Sequence, residues 1–241
     1  MDDSSFPDHW DYSDHSDPTV PRRSDKKPSD EKTPRDYPRP IVAVDTALLT
    51  TCPRRGLVVV QMWRDDIGKW ALPGAFVRRG ETLAQAVERC LRDKLGVANI
   101  RPRQLHVLDD PDRDHRDWVI SVAHVAVVRP EQLGALGSGV AGETRLASVD
   151  RPGDLAWDHP EIVRRARTDV RERYETHADP DRLLGPRFTL TELRRVHEAV
   201  AGEQFGRDRF RRAMEDKVEG TGMIEETGAR GRPAELFRRK V

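Results

Sequence analysis

Leu83, Val87, Leu91 and Leu95 recur at every fourth position of one stretch, with Ala86 and Cys90 beside them and Gly96 directly after. That period lays them along one side of a helix, and the glycine supplies its stop. The spacing predicts a helix over 82–95, with an apolar side that other elements must cover. Candidate partners lie on both sides of it. Ile41–Val44, Leu57–Met62, Leu105–Leu108 and Trp118–Val128 are short apolar runs, several of them bounded by Pro, Gly or Arg. They read as strands. Strands alternating with one clear helix imply an α/β domain over 40–150.

Residues 1–39 have a different texture. They hold ten acidic and seven basic residues, many Pro and Ser, and almost no aliphatic side chains. Such a segment cannot bury enough apolar surface to offset its ordering entropy, so 1–39 is expected to be a disordered tail. Its Phe6, Trp10, Tyr12 and Tyr37 could serve as an interaction motif, or the segment is simply a solvated leader. The longest apolar stretch, Val119–Val128, has half the length of a membrane span. The start, with Asp2 and Asp3, lacks the basic opening of a signal peptide. Cys52 and Cys90 lie far apart and form no CxxC pair. These features lead to the expectation of a cytoplasmic protein without a membrane partner.

A second helix is expected over 158–175. Asp158 and Glu161 have capping-box spacing, and Ile162, Ala166, Val170 and Tyr174 form the buried stripe. It is read as a linker helix within 151–182. A separate unit then occupies 183–241. Thr189 and Glu192 form another capping box, and Phe188 and Leu193 are placed for a hydrophobic staple. The first helix of this unit runs to Ala201 and stops at Gly202. A second is expected over about 208–219, burying Phe210, Ala213, Met214 and Val218. Two short strands, Met223–Thr227 and Ala234–Arg239, would flank a Gly-Ala-Arg-Gly-Arg-Pro turn. Helix, turn, helix and hairpin together outline a winged helix.

The segment from Gly74 to Val97 has a more specific pattern. Gly74 is followed by Glu81, then Arg89, Leu91, Gly96 and Val97 at fixed spacing, and Trp70-Ala-Leu-Pro leads into it. This resembles the Nudix box, GGx5Ex7REUxEExGU, where U is aliphatic. The resemblance implies a mixed sheet between helices, an α/β/α sandwich. In that family three helix glutamates and a loop glutamate hold Mg²⁺ against a pyrophosphate. Here Ala75 replaces the second glycine, and the three glutamate positions read Cys90, Asp93 and Lys94. With Glu81, the four positions carry a formal charge of −1, where four carboxylates would carry −4. A magnesium cluster is not expected there, so the box is read as vestigial, without a catalytic residue or a metal.

Each residue of the box has two readings. Lys94 is either a solvated helix residue or an ammonium standing in for the metal. Cys90 falls on the apolar side of its helix, as a small hydrophobe would, rather than as a reactive thiol. Arg89 could receive Glu81 or Asp93. Trp70 is an anchor of the core or a platform for a base. The ligand-binding candidates are Trp70, Gly74, Glu81, Arg89 and Lys94.

The C-terminal unit resembles the winged helix of Nudix-related transcriptional regulators, the NrtR family. Phe188-Thr-Leu-Thr-Glu-Leu, Val196-His-Glu-Ala, Phe210-Arg-Arg and Gly228-Ala-Arg-Gly-Arg-Pro-Ala-Glu-Leu-Phe237 carry the likeness, together with the connecting Trp157-Asp-His-Pro-Glu-Ile162. The chain as a whole has 42 Lys and Arg against 42 Asp and Glu, which excludes a uniformly basic nucleic-acid coat but not a basic face. Arg207, Arg209, Arg211, Arg212 and Lys217 cluster on or near the second helix, and Arg230 and Arg232 in the turn. They are the candidate DNA-binding residues. The resemblance implies a DNA-binding regulator, expected to be a repressor, with ADP-ribose or a related nucleotide as effector and genes of NAD metabolism, or alternatively of sugar catabolism, as targets. A homodimer is expected because winged helices commonly read paired half-sites. The alternative is an active Nudix hydrolase of the ADP-ribose pyrophosphatase type with an accessory C-terminal domain. Only that alternative would call for Mg²⁺ as cofactor.

Overall fold

Strand β1 (Ile41–Cys52) is the spine of the first unit. It runs parallel to β6 (Val119–Val127) and antiparallel to β2 (Gly56–Arg64) and β4 (Gly74–Phe76). Two short strands, β3 (Lys69–Ala71) and β7 (Thr144–Ser148), both pair with β2, and β5 (Arg103–Leu108) closes the far edge on β6. The sheet is mixed, as the resemblance to the Nudix box implied. The computed structural model describes residues 33–134, 143–225 and 233–240. Most of the expected tail therefore lies outside the described residues.

Side chains leave a strand on alternate faces. In β1, Val44 and Leu48 enter one core, while Ala47 and Leu49 enter the other. The β6 run divides the same way, with Ala126 and Val128 on one side and Ala123 and Val125 on the other. Both faces therefore need a cover. Helix α1 (Leu83–Leu95) covers the first with Ala86, Val87 and Leu91. Thr82 and Gln85 close its N-terminus reciprocally, and Gly96 ends it at φ +67°. Helix α2 (His159–Thr176) covers the second with Ile162, Val163, Ala166, Val170 and Tyr174. The stretch expected to link the two units thus also forms a layer of the first.

The capping box expected at Asp158 and Glu161 does not form. Arg113 takes the Asp158 carboxylate in a two-pronged pair at 2.6 and 2.8 Å, and Glu161 pairs with Arg164 and Arg165. Charged forks from elsewhere compete successfully with a local cap.

The second unit contains β8 (Phe188–Thr189), α3 (Leu190–Ala201), α4 (Arg207–Met214), β9 (Val218–Glu225) and β10 (Ala234–Arg239), with sheet order β8-β10-β9. Here the Thr189 and Glu192 box does close, and Phe188 and Leu193 share the core with Phe210, Met214 and Val218. The second helix is shorter than expected. It ends at Met214, Ala213 is exposed, and Val218 already belongs to β9. Phe210, Met214 and Val218 are spaced by four, so periodicity alone extends the helix. The chain instead turns at Lys217, whose backbone N–H donates to the Met214 carbonyl at 2.9 Å. The first strand of the hairpin accordingly begins at Val218 rather than Met223, and residues 226–227 lie outside the described ones.

The winged unit is seated on the first. Val200 and Val196 of α3 join the core beneath α2, and Arg171 of α2 donates to the Val200 carbonyl at 3.0 Å. Among the described residues no helix is long and apolar enough to cross a membrane.

Candidate anion pocket and nucleic-acid interface

A pocket of about 210 Å³ opens where β1, β4, the C-terminal end of α1, the loop before β6 and the start of α2 meet. Its floor is Asp45 of β1, which pairs with Gly74 of β4. A Cβ on Gly74 would stand 2.0 Å from the Asp45 carboxylate, so only glycine permits this approach. Ser121 Oγ donates to Asp45 at 2.6 Å, and His159 Nε2 lies 3.5 Å away. The Leu72 N–H donates to His159 Nδ1 at 2.8 Å. Since an amide can only donate, Nδ1 is the acceptor and the ring proton sits on Nε2, facing Asp45. Burial would raise the Asp45 pKa, but the His159 imidazole, the Ser121 hydroxyl and the Arg113 guanidinium outweigh it and hold it at about 2.

The walls are cationic and aromatic. Arg64, Arg113, Arg116 and Lys94 all line the pocket. Arg116 lies 4.9 Å from the Trp157 ring centroid and 6.0 Å from that of Phe76, and Arg64 lies 5.6 Å from Trp157. Trp157 has φ +51°, a left-handed conformation that costs a bulky residue energy. Its ring lies on the pocket wall, while Phe76 stays about half exposed. The three arginines are each tied into a two-pronged carboxylate pair: Arg64 to Asp66, Arg113 to Asp158, and Arg116 to Asp114.

The pocket brings together two of the five ligand-binding candidates, Gly74 and Lys94. Lys94 Nζ donates to the Gly74 carbonyl at 2.6 Å. Glu81 and Arg89 lie outside the lining and engage each other at 2.7 and 2.9 Å. That pair, with the Arg78 N–H, holds the Glu81 carboxyl at about 2. Trp70 also lies outside. It meets Trp63 edge-on at 5.4 Å and carries Arg145 over its face at 4.1 Å, which is the anchor role. The periodicity reading missed Asp45, Arg64, Phe76, Arg113, Arg116, Trp157 and His159. Trp157 and His159 were visible within the Trp-Asp-His-Pro connection, but only as part of a link.

The box residues do not fit Mg²⁺. Cys90 is buried, and burial pushes its thiol up to about 11, so it offers no thiolate or oxygen. Asp93 is exposed and paired with Arg92, and Glu81 is committed to Arg89. Lys94 places an ammonium on the same helix face. Two unit charges about 4 Å apart interact by about 4 kcal/mol at an effective dielectric of 20, and a divalent ion would feel twice that repulsion. Among the described residues no group of three or more His, Cys, Asp and Glu is arranged to hold a metal.

In the winged unit, α4 buries Phe210 and Met214 and exposes Arg207, Arg209, Arg211 and Arg212. That divides the helix into an inner apolar side and an outer side of planar cations suited to phosphates and guanine edges. Lys217 is used differently. Its Nζ donates to the Ala213 carbonyl at 2.5 Å and pairs with Asp216 at 3.2 Å, closing the end of α4. Arg230 and Arg232 lie outside the described residues.

One polar hub joins the two units. Asp179 is fully buried and accepts from the Leu183 and Leu184 N–H groups at 2.8 and 2.9 Å, from Tyr174 Oη at 3.3 Å, and from Arg239. His197 of α3 sits between Tyr174 and Phe210, with ring centroids 5.0 and 5.2 Å away.

Comparison with known proteins places both halves. Residues 40–166 match the NUDIX domain model, and residues 181–239 match the NrtR DNA-binding winged helix domain. The ADPR responsive transcriptional repressor NtrR of Acinetobacter baylyi is 29% identical over 218 residues, covering 84% of this chain and 83% of that protein. The ADP-ribose pyrophosphatase of Methanocaldococcus jannaschii is 33% identical over 138 residues, 57% of this chain and 79% of that one. The crystal structure of Shewanella oneidensis NrtR complexed with a 27mer DNA superposes with a TM-score of 0.66 at 29% identity, covering 83% of this chain and 93% of that chain.

Proposed function

This chain belongs to the NrtR family, a NUDIX domain joined to a winged helix, and from that premise we propose that it is a DNA-binding transcriptional repressor whose NUDIX pocket senses ADP-ribose or a related nucleoside diphosphate. One observation carries the reading. A single helix, α2, supplies His159 to the pocket at its first residue and seats the winged unit through Arg171 and Tyr174 near its end. At 1.5 Å per residue, the step from His159 to Tyr174 along this helix spans about 22 Å. A ligand that favours one setting of this helix shifts DNA affinity by its differential binding to the two settings.

The pocket chemistry suits such a ligand. Arg64, Arg113, Arg116 and Lys94 match a diphosphate, and Trp157 and Phe76 offer flat apolar faces to a base or ribose. The four exposed arginines of α4 match DNA. We place the protein in the cytoplasm, as a homodimer on paired half-sites, acting on genes of NAD metabolism. The test is electrophoretic retardation of promoter fragments by the purified protein, beginning with its own locus, with and without ADP-ribose. At least one fragment is expected to be retarded at moderate salt, and ADP-ribose is expected to change that retardation. No retarded fragment, or indifference to ADP-ribose, would overturn the reading.

The likeness to an ADP-ribose pyrophosphatase favours hydrolysis as a second reading. Against it stand the buried Cys90 and the cationic Lys94 on the metal-binding face. The assay is release of AMP from ADP-ribose with Mg²⁺ or Mn²⁺. Turnover above about 1 s⁻¹, near the low end of common enzyme rates, would reverse the order of the two readings.

A further inference from the structure

We propose that the Lys94 ammonium is the pocket's built-in counter-cation for a diphosphate, so that nucleotide binding by this chain needs no divalent metal. The proposal rests on the reading of the pocket as a nucleoside diphosphate site and adds which residue holds the diphosphate and under what conditions.

Four observations converge on Lys94. It occupies a helix position where the box pattern calls for a metal-binding glutamate. Its side chain is half-buried and lines the pocket. Its Nζ is fixed by one hydrogen bond, to the Gly74 carbonyl at 2.6 Å. An ammonium has three donors and no acceptor, so two donors remain for a ligand once the carbonyl has taken one. Lastly, the pocket's three arginines are each held by an aspartate, whereas Lys94 forms no ion pair with a carboxylate among the described residues. Among the described residues Lys94 is therefore the lining cation with no carboxylate partner, while the ionised Asp45 at the pocket floor faces Arg113 at 3.6 Å and His159 at 3.5 Å. A metal would need carboxylates that Glu81 and Asp93 have already given to Arg89 and Arg92. A diphosphate needs only a fixed cation and donors, and Lys94 supplies both.

The experiment is calorimetric titration of the full chain with ADP-ribose and, separately, with inorganic pyrophosphate, each in excess EDTA and in millimolar Mg²⁺. Wild-type affinity is expected to agree within about twofold between the two conditions. Lys94→Gln keeps a donor for the Gly74 carbonyl but removes the charge, and should weaken binding tenfold or more in both. Lys94→Arg should retain most of the affinity and its indifference to EDTA. Lys94→Glu should lose binding in EDTA and recover part of it with Mg²⁺. Thermal unfolding of each variant checks that the fold is kept. A tenfold loss of wild-type affinity in EDTA overturns the proposal, as does wild-type binding by a folded Lys94→Gln. If pyrophosphate binds in this Lys94-dependent way and ADP-ribose does not, the nucleotide reading fails and the role of Lys94 stands. If neither ligand binds, both fall.

Discussion

Gly56, the first residue of β2, lies so close to α3 that a Cβ added to it would stand 2.9 Å from the Ala199 carbonyl oxygen. The NUDIX domain thus touches the winged unit backbone to backbone. Gly56 is also at φ +67°, which any other residue adopts only at a cost of about 1–2 kcal/mol. Gly56→Ala is expected to lower the melting temperature by several degrees and to weaken DNA retardation. ADP-ribose affinity should stay within about twofold, because Gly56 is not among the residues that line the pocket. Scanning fluorimetry, retardation and calorimetry on the same sample check all three.

Asp179 is the buried acceptor on which the junction converges. Asp179→Ala would strip the Arg239 guanidinium of its carboxylate and leave two backbone N–H groups unpaired. Breaking one partner of a buried charge pair costs about 3–5 kcal/mol. Tyr174→Phe removes a single 3.3 Å hydrogen bond and should cost about 1 kcal/mol or less. Urea unfolding of the two variants is expected to separate them clearly; equal midpoints would remove Asp179 from its central place.

His197 gives the junction a pH dependence of defined sign. Burial, reinforced by the Lys217 charge, lowers its pKa to about 4, and its Nε2 accepts from the Asp179 N–H at 3.4 Å. In the unfolded chain the ring takes a proton near pH 6.5. Between these values the unfolded state binds more protons, so stability rises with pH. The contribution is complete above about pH 6.5 and is lost as pH falls toward about 4, on the order of 3 kcal/mol in all. His124, also lowered by burial, adds to the same slope. His197→Phe is therefore expected to reduce the difference in unfolding midpoint between pH 7.5 and pH 5, not abolish it. An unchanged difference would mean that His197 does not titrate as placed. Below about pH 4 the carboxyls of Asp45, Glu81 and Glu161, each held at about 2, take over the pH dependence.

The exposed arginines of α4 and the nearby Lys217 should behave differently on DNA. Replacing Arg207, Arg209, Arg211 and Arg212 by Ala is expected to weaken binding at least tenfold. The slope of log affinity against log salt should flatten by about 0.9 for each phosphate that is no longer neutralised. Lys217→Ala is expected to leave that slope nearly unchanged and to lower stability instead, since its ammonium caps α4 through the Ala213 carbonyl. Retardation across a salt series reads both effects.

Local chemistry was legible where the cause is local. The period of Leu83, Val87 and Leu91, the Thr189 and Glu192 box, and the Gly96 and Gly202 stops all act within one or two helical turns, and each stands where the sequence predicts it. The same logic failed at Asp158, where a guanidinium 45 residues away took the carboxylate, and at Val218, where an in-phase valine belongs to a strand. The strands β3, β4 and β7 had no recognisable pattern, being three to five residues long and defined by their partners.

The amino-acid order by itself determined a mixed α/β domain, a winged helix after it, and a box whose Cys90 and Lys94 no longer suit a metal, because spacing and side-chain charge are properties of the chain. Which groups surround the ligand was decided only by tertiary structure. Arg113 and His159 are each brought within 4 Å of Asp45 by the pairing of β1 with β4 and β6 and by the docking of α2. Hydrogen bonding and burial act through space, so residues with no periodic relation along the chain become neighbours only when the sheet closes.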